Sequence, residues 1–309
     1  MTHQDINIFL TLVDKMNLSK AANSLYMSQS TLSHRLSSLE KELNAPLFIR
    51  NKGHRTLTLT PFGHDFIPIA ERWTALWAET QDLHTTHGSR TFYIGSVPSL
   101  VQYLFADLLK ETLITEQQHF RLMIKSMQSA AMYPALENRE IDLAFAVKPS
   151  IYSNVINTPI LNEENLLILS SKEKTEPGTF GPDIHPLELN PENELIFQFH
   201  QNYLQWRTQW FGYFANPAMG CAEASLIERF FSKPCDFWCV APFSVALAIQ
   251  QNCCVSLHHF TSPPLPRTCY LLTHRIPRAG YESSFEIFQN HLYQYLRNEE
   301  SLGHLQLLI

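Results

Sequence analysis

Apolar residues in the first part of the chain recur at helical spacing. Residues 5–14 carry apolar side chains on one face, which predicts an amphipathic helix. A short second helix is expected to begin at Ser19, because serine caps helix N-termini well. Ser28 is expected to cap a third helix over residues 29–43, where leucines recur every three or four positions. The pattern therefore predicts three closely spaced helices.

The polar faces of the third predicted helix are dense in short hydroxyl side chains. Such residues are poor helix formers, so helix stability does not explain why so many of them occur on this helix. Two helices joined by a short turn form a helix-turn-helix, whose second helix enters the DNA major groove. The alternative is a plain helical hairpin with a solvated polar face. The candidate DNA-binding residues on this helix are Gln29, Ser30, Thr31, Ser33, His34, Arg35 and Ser37.

The spacing of apolar residues changes after the third helix. Two short runs with the composition of β-strands flank a basic segment there. The runs are residues 47–49 and 57–59, and Gly53 between them suits a turn. This pattern predicts a wing whose basic tip contacts DNA phosphates, although a charged hairpin tip exposed to water gives the same pattern. The candidate phosphate contacts are Arg50, Lys52 and Arg55.

A longer helix is expected from Pro61, because Thr60 can cap it and proline is tolerated at the first helical position. Apolar residues then follow steps of four and three up to residue 83, which is the seam of a dimerising helix. The alternative is an amphipathic helix packed on its own domain. Pro68 is expected to kink this helix, and residues 85–90 are the predicted hinge. The dimerisation candidates are Phe62, Phe66, Ile69, Trp73 and Leu76.

Beyond residue 90 the predicted strands alternate with helices, which indicates an α/β region with largely parallel sheets. Ligands in such sheets bind at the carboxyl ends of strands. The predicted strands are residues 92–95, 120–125, 141–147, 165–170, 195–199, 237–241 and 268–273, and the first helices are 98–112 and 130–138.

Composition and charge agree with two or three globular domains. The chain has 309 residues, of which 45% are hydrophobic and 17% charged, and this excludes a mainly disordered protein. Residues 1–60 contain seven basic and four acidic residues, a net charge of +3, so the remaining residues carry −9 of the total of −6. A basic module ahead of an acidic one suggests that the basic end meets a polyanion. No apolar run of transmembrane length and no secretory signal is found, so a cytoplasmic protein without membrane contact is expected.

Six cysteines lie in the C-terminal half, and reduced thiols are the expected state. The alternative is a redox switch at Cys235 and Cys239 or at Cys253 and Cys254. Their spacing to neighbouring histidines does not match a zinc site, and no cofactor is predicted. Motifs of common enzymes, such as a nucleophile elbow or a phosphate-binding glycine loop, do not occur, so no enzymatic activity is expected. An α/β enzyme and a solute-binding protein are the alternatives from other classes.

Residues 18–43 resemble the winged helix-turn-helix of LysR-type transcriptional regulators, and the resemblance continues through residues 46–50 and 57–63. It implies an α+β multidomain fold, in which a linker helix precedes two α/β lobes like those of a type 2 periplasmic binding protein. The expected domains are a DNA-binding domain at 1–60, a dimerising linker and hinge at 61–90, and an effector-binding domain at 91–309. Its first lobe comprises about 91–161 and 267–309, and its second lobe about 162–266.

The resemblance implies a sequence-specific transcriptional regulator that a small molecule switches from a cleft between the lobes. Its expected partners are promoter DNA with an interrupted dyad, RNA polymerase, and further copies of the chain as a dimer or dimer of dimers. We expect an anionic or polar effector, because a helix start at Ser99 has free N–H groups; the alternative is that Ser99 is only an N-cap. The candidate effector-binding residues are Ser96, Ser99, Leu100, Ser126, Gln128, Lys148, His200 and Asn202.

Overall fold

The structure is a computed structural model that forms two compact units. The N-terminal unit comprises residues 1–88 with 137–140 and 278–280, and the C-terminal unit comprises the rest. The structure describes residues 1–50, 57–82, 90–116, 120–197, 201–278, 280–300 and 305–308.

Three helices open the N-terminal unit, α1 (His3–Lys15), α2 (Leu18–Ser24) and α3 (Gln29–Glu42). Their apolar faces converge on one core, as the spacing predicted. Residues from α1 and α3 are fully or almost fully buried there, and apolar residues at this spacing make a continuous stripe on each helix. The buried members are Ile6, Phe9, Leu12, Leu32, Leu36 and Leu39.

The cap of α3 is as predicted, but the cap of α2 is not. The Ser28 hydroxyl accepts a hydrogen bond from the Thr31 backbone N–H at 3.1 Å. At α2 the cap is Asn17, whose side-chain oxygen accepts from the Lys20 backbone N–H at 3.0 Å. Placing the cap at Ser19 was wrong, because asparagine two residues earlier satisfies the same orphan N–H groups.

A two-stranded antiparallel sheet and a long helix complete the N-terminal unit. Strand β1 (Phe48–Arg50) pairs with β2 (Leu57–Leu59), and α4 follows over Pro61–Asp82. The Thr60 hydroxyl accepts from the Gly63 backbone N–H at 2.9 Å, which caps α4 as predicted. A Cβ atom at Gly63 would lie only 2.2 Å from the Leu47 carbonyl oxygen, so only glycine allows this close approach.

The C-terminal unit contains two mixed sheets with helices packed on them. Its strands are β3 (Arg90–Ser96), β4 (Phe120–Ser126), β5 (Leu143–Ala146), β6 (Val155–Glu163), β7 (Asn165–Ser170), β8 (Glu194–Phe197), β9 (Met219–Cys221), β10 (Trp238–Pro242), β11 (Val255–His258), β12 (Arg267–His274) and β13 (Leu305–Leu307). Its α-helices are α5 (Pro98–Tyr103), α6 (Ala106–Thr115), α7 (Ser129–Glu137), α8 (Gln201–Phe211), α9 (Ala224–Phe230), α10 (Phe243–Asn252) and α11 (Glu282–Glu300).

The two sheets define two lobes, each with its own apolar core. The first lobe has the strand order β13-β6-β12-β5-β3-β4, and the second has β11-β7-β10-β8-β9. The chain passes from the first sheet to the second between β6 and β7, and returns between β11 and β12. These are the two crossings that the resemblance implied.

The expectation of largely parallel sheets was wrong. Parallel pairing links β3 to β4 and β5, and β8 to β9 and β10. Antiparallel pairing links β12 to β5 and β6, β13 to β6, and β7 to β10 and β11. The return crossing brings β12 back between β5 and β6 in the opposite direction, and a local sequence pattern does not reveal such a long-range insertion.

The helix predicted over residues 98–112 is interrupted. Helix α5 ends at Tyr103, and the Leu104 and Phe105 backbone N–H groups both donate to the Leu100 carbonyl oxygen, at 3.0 and 2.8 Å. The break turns the Phe105 ring into the core, where its centroid lies 4.2 Å from that of Phe145. Burial of an aromatic ring there outweighs the continued helix. Among the described helices, none is long and apolar enough to cross a membrane.

Candidate functional sites

Helix α3 exposes the polar face that the sequence predicted to meet DNA. Its leucines are buried in the core, while Ser33 and Arg35 are half-buried. A two-sided helix of this kind leaves a polar surface free for the major groove. The exposed candidates are Gln29, Ser30, Thr31, His34 and Ser37.

Hydrogen bonds hold the side chains at the start of α3. The Ser28 hydroxyl lies 2.8 Å from those of both Ser30 and Thr31, and Ser19 donates to the Gln29 side-chain carbonyl at 3.0 Å. This last bond engages the amide oxygen of the exposed Gln29, so its two N–H groups are the donors it can offer to DNA acceptors. These hydroxyls and the amide are therefore oriented before any DNA arrives.

Arg35 is tied to α1 in this structure. Its Nη1 donates to the Asp5 carboxylate at 3.0 Å, and Asp5 is mostly buried. Burial raises the pKa of the Asp5 carboxyl, but hydrogen bonds from Thr2 and Arg35 outweigh it, so its pKa lies below the usual value. Arg35 therefore joins α3 to α1, a structural role that the sequence analysis did not predict.

Tyr26 is a surface residue that the sequence analysis did not select. It lies in the turn between α2 and α3, has a left-handed backbone with φ of 54°, and is 99% exposed. A tyrosine hydroxyl can donate to a DNA phosphate. An aromatic residue in the turn of a helix-turn-helix is the signal that could have identified it.

The predicted basic tip of the wing lies outside the described residues. Lys52, Arg55 and the Arg50 side chain lie outside the described residues, as does most of the predicted hinge at 85–90. The two strands that flank the tip pair as predicted.

Four of the five predicted dimerisation residues are surface residues of α4. Their side chains are 37–53% exposed although all four are large and apolar. Phe66 is the exception, since it is 4% exposed and its ring centroid lies 5.0 Å from that of Phe9. Placing Phe66 on a dimer surface was wrong, because the first half of α4 packs on α1. The exposed members are Phe62, Ile69, Trp73 and Leu76.

A cleft between the two lobes collects several predicted effector-binding residues. A small cavity of about 50 Å³ is lined by Ser99 and Gln128 from the first lobe and Phe197 from the second. An adjoining cavity of about 310 Å³ is lined by Lys148 and by Asn202 of the second lobe. Arg267 and Val147 line both cavities, so the two cavities adjoin at these side chains, and together they are called the cleft here.

Arg267 is the central residue of this cleft, and the sequence analysis missed it. It is 1% exposed and forms an ion pair with Glu163, which is fully buried. Its Nη1 donates to the Ser99 hydroxyl at 2.8 Å. The other Glu163 oxygen accepts from the Ser244 backbone N–H at 2.6 Å, at the start of α10 in the second lobe. A carboxylate at the crossing thus connects the cleft arginine to both lobes.

Lys148 is fixed at the rim of the cleft by its backbone. The Tyr133 hydroxyl donates to the Lys148 carbonyl oxygen at 2.9 Å and accepts from the Ser150 backbone N–H at 2.8 Å. The ammonium group remains exposed beside the larger cavity. Among the described lining residues of this cleft, Lys148 and Arg267 are the charged ones. Glu163 balances the charge of Arg267, so Lys148 supplies the net positive charge that favours an anion.

Ser99 is not an N-cap, so the alternative role that the sequence analysis gave it was wrong. The N-cap of α5 is Val97, and the Ser99 hydroxyl instead accepts a hydrogen bond from Arg267. Because α5 has only six residues, its N-terminus is also a weak basis for anion binding. The hydroxyl orients the arginine.

Three of the other predicted effector residues do not line the cleft, and the fourth is not among the described residues. Ser96 is fully buried and donates to the Val97 carbonyl oxygen, and Leu100 is fully buried in the core of the first lobe. These two predictions were wrong, because the end of β3 turns Ser96 inward and α5 turns Leu100 into the core. Ser126 is exposed at the end of β4 but does not line either cavity, and His200 lies outside the described residues.

Burial makes most of the cysteines poor redox switches. It raises the pKa of the Cys239 thiol well above its usual value, and that of Cys269 to about 12. Burial also raises the pKa of Cys221 and Cys253. Since the thiolate is the reactive form, these shifts oppose oxidation near neutral pH. All six cysteines are free thiols.

The fold and these sites together define a protein with an N-terminal winged helix-turn-helix and a C-terminal two-lobed α/β domain. Residues 3–64 match the family model described as bacterial regulatory helix-turn-helix protein, lysR family. This match shows that the N-terminal domain is a helix-turn-helix domain of the LysR type. This confirms the resemblance seen in residues 18–63.

Two relatives carry the name HTH-type transcriptional regulator HdfR. The protein of Yersinia enterocolitica serotype O:8 is 28% identical over 181 residues, which cover 56% of this chain and 60% of that protein. The protein of Yersinia pestis strain Pestoides F is 29% identical over 146 residues, 47% of this chain and 48% of that protein. The chain therefore spans about half to three fifths of the length of these curated relatives.

Solved structures of similar fold extend over nearly the whole chain. CbnR in complex with its target DNA has a TM-score of 0.69 at 16% identity, and the match covers 96% of this chain and all of that one. A full-length OxyR variant from Pseudomonas aeruginosa has a TM-score of 0.62 at 20% identity, covering 94% of each chain. At these identities the similarity concerns the fold, and it confirms the predicted fold class.

Proposed function

We propose that this chain is a cytoplasmic, non-enzymatic transcriptional regulator that binds promoter DNA and responds to a small anionic effector. The observation that carries the DNA-binding part is the exposed polar face of α3, inside a domain that matches the lysR-family model. CbnR, which has a similar fold, has been solved with its target DNA. The proposed division is a DNA-binding domain at 1–60, a linker at 61–90 and an effector-binding domain at 91–309.

The test of DNA binding uses fluorescence anisotropy with DNA from upstream of the gene and with a scrambled duplex, over a series of salt concentrations. We expect Gln29→Ala to weaken binding to the upstream DNA by about 1–3 kcal/mol, because the contact of its amide group with a base edge is lost. Binding to scrambled DNA and the salt slope should change little, since phosphate contacts remain.

Asn7→Ala is the control, because Asn7 is exposed on α1 rather than on α3. Equal affinity of the wild-type protein for the two duplexes would contradict sequence-specific binding. An unchanged preference in Gln29→Ala would remove Gln29 from the base-reading residues. A thermal melt of each variant checks that loss of the bond from Ser19 has not unfolded the unit.

We propose that α4 pairs two subunits through Phe62, Ile69, Trp73 and Leu76. These apolar side chains are exposed in the single chain, and a seam of this kind is buried when two helices pair. Two DNA-binding domains would then read the half-sites of an interrupted dyad about one helical turn apart, or multiples of it. A dimer of dimers and contact with RNA polymerase complete the proposed assembly.

Trp73→Glu is expected to weaken this association by about 2 kcal/mol or more, because it places a charge in the apolar seam. Sedimentation equilibrium of the full chain measures the effect as a loss of the larger species. Arg72→Glu is the matched control, since Arg72 is exposed on the same helix but outside the seam. If the Trp73→Glu variant forms an assembly of the same mass as the wild-type protein, the subunits do not associate through α4.

The effector part of the proposal depends on the cleft around Arg267. Lys148 and the ion-paired Arg267 line a cavity of about 310 Å³, a size at the lower end of small-molecule sites. Three of the five Arg267 N–H donors already serve Glu163 and Ser99, which leaves two that could bind a ligand carboxylate. An effector that binds one arrangement of the lobes more tightly than another would shift their equilibrium and with it DNA binding. A redox switch is the less favoured alternative, because burial raises the pKa of four thiols.

A further inference from the structure

A second cavity lies in the C-terminal unit, away from the cleft around Arg267. Its volume is about 290 Å³, and it is bounded by α5, α6 and α11 of the first lobe and by α10 of the second. No lining residue is shared with the two cavities of the effector cleft, among the residues described. The cavity therefore has its own chemistry, independent of the proposed effector site.

The buried part of this cavity contains an unsatisfied hydroxyl. Ser244 is 7% exposed, and its Oγ has no hydrogen-bond partner among the described residues. Buried polar groups in proteins are nearly always hydrogen-bonded. The side chains around Ser244 include the buried Leu104 and Phe243, so the deep end is apolar except for this hydroxyl.

The exposed part of the cavity is polar and carries one negative charge. Gln102, Asp107 and Gln251 are exposed lining residues, and Asp107 is the only charged side chain among the described lining residues. The start of α10 offers little to an anion. The Phe243 and Ser244 backbone N–H groups already donate, to the Glu164 carbonyl and the Glu163 carboxylate. The electrostatics therefore favour a cation.

We propose that this cavity is a second small-molecule site, which takes a primary amine with an apolar body and a hydroxyl at its far end. The ammonium group pairs with Asp107, the apolar body lies against Leu104 and Leu247, and the hydroxyl exchanges a hydrogen bond with Ser244. Ser244 also donates its backbone N–H to Glu163, the partner of Arg267. A ligand in this cavity would therefore lie next to the Arg267–Glu163 ion pair of the proposed effector cleft.

Calorimetric titration of the full chain with three probes tests this site. Tyramine has both polar ends, phenethylamine lacks the hydroxyl, and 4-ethylphenol lacks the ammonium group. We expect tyramine to bind roughly tenfold more tightly than either of the other two, because each lacks one hydrogen-bonded end. Asp107→Asn should reduce tyramine binding roughly tenfold and leave 4-ethylphenol unchanged. Ser244→Ala should make tyramine and phenethylamine equal.

Glu111→Gln is the control for charge, since Glu111 is exposed on α6 but does not line the cavity. Ala248→Phe fills the cavity and should abolish binding of all three probes. The proposal is overturned if tyramine does not bind at millimolar concentration, or if its affinity is the same in Ala248→Phe and Asp107→Asn as in the wild-type protein. These titrations do not measure DNA binding or anion binding at Arg267. Their failure would therefore contradict the second site without contradicting the proposed function.

Discussion

Phe66→Ala is expected to destabilise the N-terminal unit by about 3–5 kcal/mol, the range found for removing a buried aromatic side chain. Phe66 is 4% exposed and packs edge-on against Phe9 of α1. Without the ring, α4 loses its main aromatic contact with the three-helix core. Hydrogen exchange of the α1 backbone in the full chain measures the loss, because opening of this unit exposes those amides.

Phe62→Ala is the matched control, four residues earlier on the same helix. Its ring is 41% exposed, so the free energy of unfolding should change by only about 0.5 kcal/mol. We expect Phe62→Ala to weaken self-association instead. Equal exchange rates in the two variants would show that α4 does not depend on Phe66 for its packing on α1.

This pair of residues also shows what periodicity could and could not predict. Both belong to the same apolar seam, so the sequence pattern assigned them one role. The difference arises because the Phe66 ring packs on Phe9 of α1, about sixty residues earlier in the chain, whereas the Phe62 ring is largely exposed. A helical period predicts which residues share a face, but not which partner covers each part of that face.

The helices of the N-terminal unit were predictable because local physics determines them. The leucines of α3 recur at helical spacing, and Ser28 supplies the cap within the same segment. Strand β6 was missed for the opposite reason. Its Pro159 and two asparagines are typical of loops, and only pairing with β12 and β13 makes the segment a strand.

The effector cleft was predicted in outline but without its central residue. Ser99, Gln128, Lys148 and Asn202 line its two cavities, and their role in effector binding stays a prediction. Arg267 follows a proline-rich segment, and its local sequence predicts a charged side chain exposed on a loop. Its partner Glu163 lies 104 residues earlier, and only the two chain crossings bring them together.

Arg267→Met is expected to lower the free energy of unfolding by about 3–5 kcal/mol, because it leaves the Glu163 carboxylate buried without its cation. Glu163 is fully buried, so water cannot replace the lost ion pair. Adding Glu163→Gln should restore most of the stability, since the amide oxygen can still accept from the Ser244 N–H. Urea denaturation of the single and double variants measures both effects.

The stabilised double variant then separates folding from effector recognition. A thermal-shift screen compares small mono- and dicarboxylates with the corresponding amides, because a ligand that binds only the folded state raises its Tm. For the wild-type protein we expect a carboxylate, and not its amide, to raise the Tm. The response should be lost in the double variant and reduced in Lys148→Gln, whereas Lys110→Gln, exposed on α6, should respond like the wild-type protein. If the carboxylate raises the Tm of the folded double variant as much as that of the wild-type protein, the anion binds without Arg267. The cleft around Arg267 would then not be the effector site.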